Sequence, residues 1–144
     1  MKPLTLIGIL ALTVTIGGAS FSARTVANPD DEAIRATIQH YFDGGFETRK
    51  AFYPDATMWY VRDGTLNQVP IEDFLSRVES NADSPQGEVT KSIVTIDRFG
   101  AVAVAKLELK RPTSVIYDYM SLLKIDGEWQ IVNKIFDIER ISEE

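Results

Sequence analysis

The chain has 144 residues, with 21 acidic side chains against 15 basic ones, a formal net charge of −6, one histidine and no cysteine. That length fits one domain. An acidic balance with no basic stripe argues against nucleic acid and anionic lipid as partners, and the lack of cysteine excludes disulfides, thiolate metal sites and cysteine nucleophiles.

Residues 1–23 read as a secretory signal peptide. Lys2 is the positive start, Leu4 to Ile16 the apolar run, and Gly17-Gly18-Ala19-Ser20 the small-residue exit. Cleavage is expected after Ala19 or Ala23. The apolar run is about 13 residues, short of the ~20 that a spanning helix needs. The mature chain is therefore expected in the periplasm or secreted, with no membrane span after cleavage.

Asn28-Pro29-Asp30-Asp31-Glu32 opens the first helix. Asn28 is a cap, Pro29 suits the first turn, and the acids favour the positive end of the dipole. Ile34, Ile38, Tyr41 and Phe42 follow at helical spacing, and Gly44-Gly45 ends the helix. A very short second helix is expected over Glu47 to Phe52. Ala56 to Arg62 reads as a strand, Asp63-Gly64 as a hairpin turn and Thr65 to Val69 as the returning strand. Pro70 starts a third helix with Phe74, Leu75 and Val78 inside.

After a polar loop, four strands are expected: Val89 to Phe99, Ala101 to Arg111, Ser114 to Ile125 and Glu128 to Ile138. Asp126-Gly127 turns the last pair. Residues 139–144 form a charged tail. Helices segregated from hairpin-linked strands give an α+β domain over 28–138 with a mostly antiparallel sheet.

Three stretches carry a family likeness. Ile38 to Gly45, Phe52-Tyr53-Pro54-Asp55-Ala56 and Leu122 to Lys134 resemble the first helix exit, the "F-x-P-D-A" approach to the first strand and the closing hairpin of the nuclear-transport-factor-2-like superfamily. The branch resembled is the one catalogued as "putative lumazine-binding" proteins. The resemblance implies a cone-shaped α+β barrel, with helices packed in a strongly curved sheet. It also implies a homodimer formed through the sheet face. The segment from Gly45 to Phe52 is shorter than the family pattern, which implies a truncated second helix and a more open cone.

The superfamily holds isomerases, dehydratases and cyclases as well as binding-only domains, so the site must be argued from residues. Tyr41 lies where the isomerases place a hydrogen-bond donor; the alternative is a core tyrosine bonded to backbone. Tyr60 stands where they place a carboxylate base, and a phenol is a poor base at neutral pH. Met58, Tyr60 and Arg62 share a strand face suited to a flat ligand.

Asp118 shares a face with Ile116, Met120 and Leu122. If that face is inner, it is an acid/base, a ligand anchor or the partner of a cation on a neighbouring strand; if outer, it is simply solvated. Asn133, placed on a face with Trp129 and Ile131, offers a buried amide or a bond to the sheet backbone. His40 projects away from the apolar helix face and is expected on the surface or at a pocket rim. With one histidine, no metal site is spaced, and no cofactor is expected.

The leading expectation is an exported small-molecule-binding domain. Its pocket is lined by Tyr41, Met58, Trp59, Tyr60, Asp118 and Asn133, and its ligand is a small aromatic or heterocyclic compound. The second is an enzyme of the isomerase, dehydratase or cyclase type, with Asp118 and Tyr41 as the catalytic candidates. The third is a homodimeric assembly module whose cone is filled by its own side chains.

Overall fold

The computed structural model describes residues 28–84 and 87–141. The expected leader at 1–23, and the end of the charged tail, lie outside the described residues. None of the described helices is long and apolar enough to cross a membrane.

Helix α1 spans Pro29–Asp43, and the Asn28 side chain caps it by accepting from the Asp30 amide. Gly44, at φ 76°, ends it in a left-handed conformation that suits glycine. A single 3-10 turn, Gly45–Glu47, leads into α2, only Thr48–Ala51. Strand β1 then covers Phe52–Arg62 and β2 covers Thr65–Pro70. Helix α3 is Ile71–Ser80, with Pro70 at its N-cap. The remaining strands are β3 Thr90–Phe99, β4 Val102–Arg111, β5 Ser114–Ile125 and β6 Glu128–Arg140.

The six strands form one sheet in the order β2-β1-β6-β5-β4-β3. All pairings are antiparallel except β1 with β6, which is parallel. The sheet is open, with β2 and β3 at its edges, so the expected barrel is not closed. Both Asp-Gly turns have positive φ at each central residue: 51° and 74° at Asp63-Gly64, 50° and 89° at Asp126-Gly127. That geometry matches the twist of the flanking strands.

The inner face of the sheet packs on the helices. Ile34 and Ile38 of α1 and Leu75 of α3 meet Leu107, Met120, Leu122 and Ile131, all buried. Polar contacts fix the docking of α1. The Thr37 hydroxyl donates to the Trp129 carbonyl at 2.9 Å. Asp30 accepts from Lys124 Nζ at 2.6 Å and from the Trp129 indole at 3.1 Å, and Arg98 donates to Asp31 at 2.7 Å. The start of α1 is thus pinned to the β5–β6 turn region and to β3.

One irregularity decides the site. Along β6, Trp129 and Ile131 face inward, and strict alternation would put Asn133 inward next. The β5–β6 register slips between Ser121 and Leu122: Leu122 pairs with Ile131, but Ser121 pairs with Asn133. Val132 is the extra residue of a β-bulge. The bulge moves the inward phase by one, so that Lys134 and Phe136 face the core side.

Candidate functional site

Asp118 lies on the inner face of β5 with Met120 and Leu122, and none of its surface is exposed. Its diagonal neighbour across the β5–β6 ladder is Lys134, whose Cα partner is Met120. Lys134 Nζ lies 2.9 Å from Asp118 Oδ1. That contact is ionic and does not form a well-aligned hydrogen bond, since Oδ1 completes none. Asp118 Oδ2 accepts from the Tyr41 hydroxyl at 2.7 Å, and Lys134 Nζ donates to the same Tyr41 oxygen at 2.8 Å. Tyr41 reaches this point because it lies seven residues, about two helical turns, beyond Ile34 on the buried face of α1.

The three groups form a closed triangle within the protein. The rings of Tyr41, Phe74 and Phe136 surround the ammonium at 4.9, 5.4 and 5.0 Å. Burial pulls the Lys134 ammonium below its ordinary range, and the Asp118 charge partly offsets this. Burial, followed by the Asp118 charge, pushes the Tyr41 phenol well above its ordinary value. Tyr41 therefore remains a hydrogen-bond donor at neutral pH.

The triangle is at the side of a cavity of about 680 Å³. Tyr41 and Lys134 line the cavity, whereas Asp118 is behind them. Met58, Val69, Phe74, Ile116 and Phe136 supply an apolar wall, with Tyr60 beside them. Thr48 also lines the cavity, and its buried hydroxyl has no hydrogen-bond partner. An ammonium has three N–H groups. Lys134 gives one to Tyr41 and faces Asp118 Oδ1 at 2.9 Å, which leaves N–H capacity beside the cavity.

Of the expected pocket residues, Tyr41, Met58 and Tyr60 line this cavity, and Asp118 supports its wall from behind. Two do not reach it. Trp59 is on the opposite sheet face, because side chains alternate along β1; it lines a shallow outer groove with Val61, Leu66, Tyr119 and Ile135. Asn133 is turned from the inner face by the bulge, and its side chain accepts from the Thr57 hydroxyl at 3.2 Å. His40 is half-exposed and pairs with Glu47 at 3.1 Å, away from the cavity lining.

The sequence reading missed Lys134 itself, since only the bulge brings it inward. It also missed Thr48, Lys91 and Arg111, which border the cavity. Lys91 and Arg111 have the inward parity of Ile93 and Leu109, so strand alternation could have identified them. Among the described residues, no group of three or more His, Cys, Asp or Glu is placed to hold a metal ion.

A family described as "Putative lumazine-binding" matches residues 29–137. The chain belongs to this family. Two solved structures of nuclear-transport-factor-2-like proteins of unknown function agree. One, from Methylobacillus flagellatus, is 32% identical with a TM-score of 0.68, covering 80% of this chain and 96% of its own. Another, from Shewanella baltica, is 28% identical with a TM-score of 0.69, covering 76% and 94%. A curated relative, the aldolase FrzH of a Cladobotryum species, is 25% identical over 122 residues, covering 79% of this chain and 95% of its own. The nuclear-transport-factor-2-like fold and the family's placement expected from the motifs therefore stand.

Proposed function

We propose that the protein is an exported small-molecule-binding domain that takes a flat heterocycle into the cavity beside Tyr41 and Lys134. The observation that carries this reading is an unfilled 680 Å³ space whose lining combines aromatic and apolar side chains with Tyr41, Lys134 and Thr48. A cone filled by its own side chains would have no such space. Small-ligand sites combine an apolar lining with a few placed polar groups. Here the Phe74 and Phe136 rings offer flat contact surfaces, while the Lys134 N–H and the Thr48 hydroxyl offer hydrogen bonds to ring carbonyls and nitrogens. The family description supports a heterocycle of this kind. The character of residues 1–23 supports export, and the family likeness supports pairing through the outer sheet face.

Thermal unfolding against a panel of lumazine, flavins and related heterocycles tests the proposal. A ligand at a hundredfold excess over its dissociation constant stabilises by about 2.7 kcal/mol. Filling the cavity with Ile116→Trp should abolish the shift without unfolding the domain. No shift with any compound would sink the reading and favour an assembly module.

A second reading is favoured by one observation. Tyr41 and Lys134 place two ionisable groups 2.8 Å apart on the cavity wall, backed by a carboxylate. Such a cluster can polarise a ligand carbonyl and stabilise charge that develops on its oxygen. The aldolase relative supports chemistry next to a carbonyl. Solvent exchange of the α-hydrogens of a small ketone, followed by NMR in deuterated water, tests it. Acceleration by the wild type that Lys134→Met removes would support the enzyme; exchange at the buffer rate would exclude it.

A further inference from the structure

The protein is acidic overall, yet its cavity is not. Among the described residues, the lining carries Arg62, Arg77, Lys91, Arg111 and Lys134 against a single carboxylate, Asp43. Asp118 compensates only Lys134. The other four cations make no ion pair with a carboxylate among the described residues. Arg62 lies over the Tyr60 ring, Arg77 donates to the Asp73 carbonyl, and Lys91 donates to the Phe42 carbonyl. Elsewhere in the fold Arg49, Lys50, Arg98 and Lys124 have carboxylate partners, whereas Arg35, Lys106, Lys110 and Arg140 make no ion pair among the described residues. What sets the cavity apart is the concentration: five cations line it against Asp43 alone, whose charge favours the Lys91 ammonium.

These cations also act on one another. Burial disfavours the Lys91 and Lys134 ammonium charges, Asp43 and Asp118 respectively offset part of this, and Arg111 adds a smaller repulsion to both. Like charges crowded at an apolar cavity are costly unless an anion joins them. Lys91 and the cavity-lining Leu109 are paired across β3 and β4, and Arg111 is two residues further along β4 on the same face. Both side chains therefore start from the same face of the sheet and line the cavity that Phe74 of α3 also lines.

We infer that the natural occupant is an aromatic or heterocyclic acid, whose carboxylate is held by Arg111 and Lys91 while its ring lies against Phe74, Phe136 and Ile116. A guanidinium pairs a carboxylate through two N–H groups in its own plane, and a nearby ammonium adds a point charge. The inference rests on the binding reading above and narrows it to a charge class.

Equilibrium titration with three matched probes tests it: 2-naphthoate, 2-naphthamide and 2-naphthylmethylamine. Naphthoate should bind at least tenfold more tightly than the amide, and the amine most weakly. Lys91→Gln/Arg111→Gln should reduce naphthoate to the affinity of the amide and leave amide binding unchanged. Arg111→Lys, which keeps the charge, should preserve the preference for the acid. Equal binding of acid and amide by the wild type would overturn the inference while leaving the cavity reading in place. So would a double variant that weakens both probes alike, or neither. Failure of all three probes to bind would remove both.

Discussion

Lys134 Nζ and Asp118 Oδ1 lie 2.9 Å apart with 5% and 0% of their side chains exposed, a charge pair enclosed by the fold. Removing one partner of such a pair strands the other. Lys134→Met should therefore cost about 3–5 kcal/mol in chemical denaturation. Lys134→Met/Asp118→Leu should cost less than the single substitution, because no charge is then left unpaired. A double variant at least as unstable as Lys134→Met would contradict the pairing.

Tyr41 sets the alkaline limit of stability. Its phenol is held well above the ordinary value of 10.0 by burial and by Asp118. The folded state thus keeps a proton that the unfolded chain releases, so this contribution is complete below pH ~10 and is lost as pH rises beyond it. Lys134 acts in the opposite sense: its ammonium is disfavoured in the fold, so its deprotonation favours folding as pH climbs toward 10.5. Comparing wild type with Tyr41→Phe largely cancels the lysine effect. Between pH 9 and 11, wild-type stability should fall more steeply than that of Tyr41→Phe, as read by denaturant midpoints. Parallel profiles would contradict the buried phenol.

Gly45 connects α1 to the short helical turn. It has φ +54°, and an added Cβ would lie 3.2 Å from the Ala82 Cβ. Gly45→Ala should cost about 1–2 kcal/mol for the left-handed backbone alone, plus the close contact. Gly44→Ala, at φ +76° and ψ −172° with no neighbour within 4 Å, should show a backbone cost alone, and a larger one because that region is essentially reserved for glycine. Thermal midpoints of the two variants measure these costs.

The outer sheet face carries Val61, Leu66, Tyr119 and Ile135, all exposed. If this face pairs two copies, Ile135→Lys should shift sedimentation equilibrium from dimer to monomer with no change in circular dichroism. A wild type that sediments as a monomer at all concentrations would contradict the pairing.

Much of the fold was legible because its signals are local. Asn28-Pro29, Pro70 and the two Asp-Gly turns mark boundaries by backbone geometry, and all do so in the fold, although Pro70 caps the third helix and Ile71, not Pro70, is its first residue. The phase of β5 was narrowed to two choices, and burial selects the one with Asp118 inside. The site was less legible because it depends on register. Nothing in Ile131-Val132-Asn133-Lys134 announces a bulge: two faces of similar composition flank it, and the shift arises from how β6 meets both β5 and β1. That one-residue shift exchanged Asn133 for Lys134 and hid the charge pair. Trp59 was misplaced for a simpler reason, since it cannot share a face with Met58 and Tyr60.

The most direct test of the binding account is the position of a bound heterocycle, read by backbone amide NMR shifts on adding lumazine or the panel compound that stabilises most. The account predicts that the largest shifts fall on Tyr41, Met58, Lys134 and Phe136, and that Lys134→Met weakens them. Largest shifts at Val61, Tyr119 and Ile135 on the outer face, or none with any compound, would contradict it.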